Sequence, residues 1–420
     1  MKPHLLLALA SLALTACAAS PSATRPQGPS LPPPPLERVE PQGSTAFRND
    51  DLADLLVRLT FQLESGDRLT SVPRLEEPVR VVPDVRFDAE TEAALQAVVD
   101  WTARHAGIDI AYAPERSAEA PGTLGGSVIA VTTVSPVWLA QAAPTVGCFV
   151  LPGPPIDLER QRRRIDFDEQ LATWQERQIA TVYVPEGVRE PRRSACFFEE
   201  IVQSTGLYND IFDLLPSIFT DEGLHIVPTA LDMLMLRTLY ALPKPTLGNR
   251  QATRTAARVA LADLNPDGEG AAARPLGLAP PPVISRVRRF FEGTARGNGG
   301  RVPRQTLERL ITSTDTRHNA LHCALRDTLA IIATREEDPG ALDLLDRAEQ
   351  ACRRSGIATP LRFANIDVHR ALAFSTQQRP VETLEALDGT TEVLEAYGIP
   401  VSPEMKQLVA MLRIVIENGT

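Results

Sequence analysis

The chain has 420 residues, 43% of them hydrophobic, and carries 43 basic against 53 acidic side chains. This composition is that of an ordinary globular protein and leaves room for two or three domains. The net charge of −10 argues against a protein that binds nucleic acid, because such proteins normally present a basic face.

The first 17 residues have the pattern of an export signal. Lys2 precedes an apolar run over residues 5–14, which is too short to span a bilayer as a helix of the mature protein. The run leads into Leu14-Thr15-Ala16-Cys17, which resembles the lipobox of bacterial lipoproteins. The resemblance implies a lipoprotein signal peptide over residues 1–17 and a lipid on Cys17; the alternative is an ordinary signal peptide with a chance cysteine. Because Ala18 follows the cysteine, analogy with enteric sorting rules predicts the outer membrane, facing the periplasm.

Residues 18–46 are rich in proline, serine and alanine and include four consecutive prolines at positions 32–35. Such a segment favours extended conformations and cannot bury a core. We therefore predict a tether that holds the folded part away from the membrane.

Residues 47–263 are predicted to form the first folded domain. Leu52, Leu55, Leu56 and Leu59 lie on one helix face, and Asp88 is a good N-cap for a second helix that ends at a glycine, residue 107. Apolar runs predict strands over residues 79–82, 108–112, 127–134 and 179–184, and another helix begins near residue 196. Strands that alternate with long helices predict an α+β fold with a mixed sheet.

The second half of the chain has a different pattern. Residues 264–283 are rich in proline, glycine and alanine, which predicts a linker. From residue 284 to 420 the apolar residues follow a helical period, and further helices are expected to start near Pro360, Pro380 and Ser402. Successive antiparallel helices resemble tetratricopeptide-like repeats. We predict an α-helical repeat-like domain over residues 284–420.

Residues 199–210 read EEIVQSTGLYND. Glu199 and Gln203 share a helix face, and Gly206 can end the helix and turn Asn209 back over it. Three polar side chains would then converge beside Glu200. This spacing is similar to H-E-x-x-H-x-x-G-x-x-H, the zinc motif of metzincin proteases, but the three histidine positions hold other residues.

The sequence downstream strengthens this resemblance. Residues 215–219, LPSIF, resemble the Met-turn segment, with Phe219 where that family has methionine. Residues 227–240 resemble the closing helix of matrixins. The full pattern EE-x-x-Q-x-x-G-L-x-N-D, which ends at Asp210, is similar to the DUF2927 family of bacterial envelope lipoproteins over roughly residues 47–263. This resemblance implies a degenerate metzincin-like domain.

The substitutions in the motif change the chemistry that it can support. Catalytic zinc takes three protein ligands and accepts imidazole well, whereas Gln and Asn carbonyls suit hard cations better. Without a metal, water keeps a pKa of about 15.7 rather than about 7, so Glu200 by itself makes too little hydroxide to cleave a peptide bond. We therefore predict no metal site and no cofactor. A hard cation such as calcium, held by Glu199, Gln203, Asn209 and Asp210, is the alternative.

Four cysteines remain once Cys17 is assigned to the lipid. Cys148 and Cys196 lie in the first domain, whereas Cys323 and Cys352 lie on consecutive antiparallel helices. An oxidising periplasm predicts the disulfides Cys148–Cys196 and Cys323–Cys352. The alternative is free buried thiols.

These patterns predict a non-catalytic, membrane-anchored envelope lipoprotein. It would contact the membrane through its lipid and bind another envelope protein, with no role for nucleic acid. The alternative is a divergent hydrolase, a peptidase that uses Glu200 with an atypical metal site. A third hypothesis, a binder of cell-wall glycans, has no aromatic platform in the sequence to support it.

Overall fold

The computed structural model describes residues 36–63, 68–114, 126–142, 147–156, 158, 178–211, 213–214, 217–220, 225–280, 283–284, 287, 303–315, 318–356, 358–396, 401 and 403–419. The predicted signal peptide with Cys17, and tether residues 18–35, lie outside these ranges. In the part of the chain that is described, no helix is both long and apolar enough to cross a membrane.

A five-stranded sheet forms the centre of the first domain. Its strands are β1 Val79–Pro83, β2 Ile110–Tyr112, β3 Ser127–Val134, β4 Phe149–Pro152 and β5 Ile179–Pro185. The strand order is β2-β1-β3-β5-β4, and every neighbouring pair is parallel except β4 and β5, which are antiparallel. The predicted mixed sheet is therefore confirmed.

Among the described residues, six helices accompany this sheet. They are α1 Asn49–Phe61, α2 Ala89–Ala106, α3 Pro136–Ala142, α4 Arg192–Ser204, α5 Ala230–Ala241 and α6 Arg250–Leu264. Local capping determines the ends of α2: Asp88 Oδ1 accepts a hydrogen bond of 2.8 Å from Thr91 N, and Gly107 ends the helix with φ +67°.

Helices α2 and α4 pack against the sheet and against each other. Val81, Ile129 and Val182 from the sheet belong to the same buried core as Trp101 of α2 and Phe198 of α4. The two aromatic rings meet edge to face, with centroids 5.1 Å apart. Each fully buried side chain of this size contributes about 1.5–3 kcal/mol, so this core positions α4 firmly.

The sequence did not predict β4 or α3. Strand β4 has four residues, and Pro152 is followed by Gly153 and Pro154, which is a typical turn composition. Only its antiparallel pairing with β5 makes it a strand. A glycine can end a helix, and Gly66 is the first glycine after α1, but α1 ends earlier, at Phe61. Gly66 itself lies outside the described residues.

The C-terminal part is helical, as predicted. Its helices are α7 Arg304–Ser313, α8 Asn319–Arg335, α9 Ala341–Ser355, α10 Pro360–Thr376, α11 Pro380–Ala396 and α12 Pro403–Gly419. Helix α8 packs along α9, α10 packs along α11, and α12 packs on α11. The α+β fold with a C-terminal helical region is confirmed.

The segments predicted as a tether and as a linker are partly folded. In the tether, Val39 O accepts a hydrogen bond of 2.7 Å from Trp101 Nε1, and Gln42 O accepts one of 2.8 Å from Ala230 N. In the linker, Arg274 N and O both bond to backbone groups of residues 46 and 48. The folded part thus begins by residue 36, and the segment 264–280 packs on the first domain, because buried backbone groups find partners there.

Candidate functional site

Helix α4 carries the motif on its polar side. Phe197 and Phe198 point into the core, and Arg192, Cys196 and Glu199 follow one another at i, i+4 and i+7 along one side of the helix. Cys196 is buried in the same core, whereas Arg192 and Glu199 are half-buried. Gln203 continues the same face one turn later. One side of the helix therefore carries the charged side chains of Arg192 and Glu199, the sulfur of Cys196 and the amide of Gln203.

Gly206 ends this segment with φ +130°, a backbone conformation that favours glycine. Gly206 N donates a hydrogen bond of 2.9 Å to Gln203 O, and Tyr240 OH donates one of 3.4 Å to Thr205 O. A Cβ atom on Gly206 would lie 2.9 Å from Leu239 Cδ2 of α5. The turn after α4 thus requires the absence of a side chain at this position.

We expect Gly206→Ala to lower the free energy of unfolding by about 1–3 kcal/mol, because the backbone is strained and Leu239 must move. The measurement is urea unfolding of the purified protein. Gly389→Ala is the matched control: Gly389 lies exposed within α11 and has open space around it. That variant should gain about 0.5–1 kcal/mol, since alanine favours a helix interior. Equal stabilities for the two variants would contradict the strain argument.

The polar side chains of the motif are engaged with other parts of the protein. Gln203 Nε2 donates a hydrogen bond of 2.8 Å to Asp210 Oδ1, and both residues are buried. Asn209 N donates to Leu59 O at 3.1 Å, and Asn209 Nδ2 donates to Arg58 O at 3.0 Å. The structure therefore brings Gln203 and Asp210 together and directs Asn209 to the end of α1. Glu200 is buried and Glu199 is half-buried on α4.

Asp232, which the sequence did not point to, anchors the segment that resembles a Met-turn. Phe219 is fully buried, and its carbonyl accepts a hydrogen bond of 2.7 Å from Ile211 N. The carboxylate of Asp232 accepts hydrogen bonds from Ser217 Oγ, from Ile218 N and from both the backbone N–H and the hydroxyl of Thr229. Burial raises the pKa of Asp232 to about 6. The sequence Thr229-x-x-Asp232 is a capping-box pattern, and this pattern could have identified Asp232 from the sequence.

A second buried carboxylate connects the motif loop to the rest of the chain. Asp213 Oδ2 accepts a hydrogen bond of 2.7 Å from Ala279 N. Burial raises the pKa of Asp213, and the positive charge of Arg58 opposes that shift. Because Arg58 and Ala279 are far from Asp213 in sequence, nothing local could have identified this contact.

The structure shows no assembled metal centre among the residues that it describes. No group of three or more His, Cys, Asp and Glu side chains lies in an arrangement that could hold a metal ion there. A cavity of about 20 Å³ beside His225 has room for one water molecule. The geometry is that of a hydrogen-bonded network that fixes a helix to the turn after it.

Both predicted disulfides are present. Cys148, just before β4, pairs with Cys196 of α4, and their Cα atoms are 5.8 Å apart. Cys323 of α8 pairs with Cys352 of α9, with Cα atoms 4.5 Å apart. Both separations lie in the range that a disulfide requires.

A family model described as "Protein of unknown function (DUF2927)" matches residues 49–252. These residues form a domain of the DUF2927 family. The DUF2927 region runs from α1 into the first turn of α6 and contains the whole motif. No curated protein and no solved structure shows significant similarity to the chain. The metzincin-like character that the motif implies therefore stays a prediction.

Proposed function

We propose that this DUF2927 protein is a non-catalytic, lipid-anchored envelope protein whose folded part binds another protein or has a structural role. The observation that carries the proposal is the engagement of the motif amides. Gln203 donates to Asp210, and Asn209 donates to a carbonyl of α1. These side chains stabilise the fold and are not arranged around an open position for a substrate.

The chemistry of the amide groups supports a non-catalytic role. Amide carbonyl oxygens are poor ligands for zinc compared with imidazole, and the N–H groups of Gln203 and Asn209 are held by protein acceptors. A hydrolase of the metzincin type depends on a metal that lowers the pKa of bound water to about 7. With amides where that mechanism needs imidazole ligands, a zinc ion would be poorly held here, and Glu200 would lack a metal-activated water to deprotonate.

The lipobox-like sequence at Cys17 and the two disulfides support the same compartment by independent routes. Disulfides persist in the periplasm and are rare in the bacterial cytosol.

For the protein-binding role, the support comes from the C-terminal helices. Ile414 and Val415, which are adjacent on α12, are 57% and 44% exposed, so this helix presents apolar side chains to solvent that a partner could cover.

Metal content and peptidase activity of the purified protein test the non-catalytic role. We expect zinc and calcium well below one per chain by mass spectrometry, and no cleavage of a denatured protein substrate. Glu200→Gln should leave both measurements unchanged. Stoichiometric zinc that is lost in Gln203→Ala, or cleavage that disappears in Glu200→Gln, would establish the hydrolase instead.

Metabolic labelling with a palmitate analogue tests the anchor on the same protein. The label should appear in the wild-type chain and disappear in Cys17→Ser. Ser11→Cys is the matched control, because it places a cysteine within the apolar run but leaves Cys17 intact, so its labelling should equal that of the wild type. Equal labelling of wild type and Cys17→Ser would refute lipidation at this residue.

A further inference from the structure

The two disulfides lie in different surroundings. Cys323 and Cys352 are fully buried between α8 and α9, with no exposed surface. Cys196 is also buried, but Cys148 is only half-buried at the start of the edge strand β4. A dithiol in solution therefore has access to Cys148 and not to the sulfurs of the other pair.

A positive charge lies beside the accessible disulfide. Arg192 is one helical turn before Cys196 on the same face of α4. Its guanidinium group also lies against Gly147, the neighbour of Cys148: a Cβ atom on Gly147 would be 2.6 Å from Arg192 Nη2. The arginine thus lies near both of the segments that the disulfide connects.

Glu199 of the motif acts on this arginine electrostatically. It lies three residues after Cys196 and seven after Arg192 on the same face, and its negative charge opposes the lowering of the Arg192 pKa that burial causes. Arg192, Cys196 and Glu199 therefore lie in succession along one side of α4. Glu199 has in Arg192 an electrostatic partner that does not depend on any metal.

A cation beside a cysteine favours the thiolate over the thiol. In thiol–disulfide exchange, a leaving sulfur that is stable as a thiolate leaves faster. Attack on the accessible Cys148 would release Cys196, and Arg192 lies one helical turn away from Cys196, with its guanidinium group beside Gly147.

We propose that Cys148–Cys196 is a redox-active disulfide that exchanges with an external dithiol, whereas Cys323–Cys352 is structural. A thiolate of the dithiol attacks Cys148 Sγ, the bond to Cys196 breaks, and Cys196 leaves as a thiolate beside Arg192. The second thiol of the dithiol then attacks the mixed disulfide and releases Cys148. Two electrons and two protons pass from the dithiol to the protein, and the dithiol becomes a disulfide.

Reduction also has a structural consequence. The bond joins the edge strand β4 to the helix that carries the motif. Once it opens, β4 retains its pairing with β5 but loses its covalent connection to α4. The exchange therefore acts on the same helix that holds Glu199 and Gln203.

The purified full chain can be tested in native buffer with dithiothreitol as the probe. Samples are quenched with N-ethylmaleimide at successive times, and each cysteine is followed by peptide mass spectrometry. We expect Cys148 and Cys196 to be labelled at least about tenfold faster than Cys323 and Cys352, because exchange requires access to a sulfur. Equal rates, or faster labelling of the second pair, would overturn the proposal.

Variants of Arg192 separate its charge from its packing. Arg192→Gln should slow reduction by about three- to tenfold, and Arg192→Lys should retain most of the wild-type rate. Arg354→Gln is the matched control, since it removes an exposed arginine two residues after Cys352 and should change neither rate. Melting temperatures measured in parallel identify any unfolded variant. An Arg192→Gln protein that is folded and reduced at the wild-type rate would contradict the role of the cation.

Discussion

We expect Asp327→Ala to lower the free energy of unfolding by about 3–5 kcal/mol, which is the usual cost of breaking a buried ion pair. Asp327 of α8 bonds to Arg362 of α10, and the two residues are 1% and 3% exposed. Burial raises the pKa of Asp327 and lowers that of Arg362, because both charges have lost water. Removal of the carboxylate leaves a buried guanidinium without its acidic partner. Urea unfolding at neutral pH measures the loss.

Two further variants test whether burial is the cause. Asp388→Ala breaks the exposed pair of Asp388 and Arg413 in the same helical region and should cost no more than about 1 kcal/mol. The double variant Asp327→Leu with Arg362→Met replaces the buried pair with apolar side chains and should recover most of the stability that Asp327→Ala loses. Equal costs for the buried and the exposed pair would contradict this interpretation.

Asp232→Ala should be the second large effect, with a loss of about 2–4 kcal/mol at neutral pH. The variant removes the acceptor of two backbone N–H groups, those of Ile218 and Thr229, and of two hydroxyl groups, and a buried donor without an acceptor costs about 1–3 kcal/mol. The turn at residues 217–220 should also become more accessible to limited proteolysis. Asp263→Ala on the exposed face of α6 is the matched control and should change stability by less than about 0.5 kcal/mol.

Asp232 also predicts a pH dependence. Its pKa in the folded protein is raised from 3.8 to about 6, so the native state binds this proton more tightly than the unfolded chain does. The stability that comes from this proton is complete below about pH 4 and is lost as the pH rises through 6. A shift of about two pKa units corresponds to about 3 kcal/mol. Relative to Asp232→Asn, the wild type should therefore lose about that much between pH 4 and pH 7, and a constant difference across this range would refute the shift.

Elements whose signals are local were predicted closely. Strand β3 has the bounds 127–134 that the apolar run indicated. The cap at Asp88 and the glycine end at Gly107 are where the sequence indicated them. Each of these features depends on side chains within one or two turns of each other, so a short window of sequence contains the interaction that creates them.

The disulfides form an intermediate case. The pairing of Cys323 with Cys352 follows from an antiparallel hairpin of two helices, which the sequence predicted. The pairing of Cys148 with Cys196 was predicted because both cysteines lie in the first domain. It involves the start of β4, a strand that the sequence did not reveal. The positions of the cysteines in the two predicted domains therefore indicated which cysteines pair, and only the tertiary structure decided that one pair is partly exposed and the other is buried.

The motif itself divides in the same way. By itself, the sequence determined that a helix bearing Glu199 and Gln203 ends at a glycine turn and that the histidines of a zinc site are absent. Only the tertiary structure decided that Gln203 meets Asp210, that Asn209 reaches α1, and that Asp232 holds the turn at residues 217–220. The physical reason is distance along the chain: Asn209 bonds to a residue 151 positions away, and such a partner is selected by the packing of the whole core rather than by neighbouring residues.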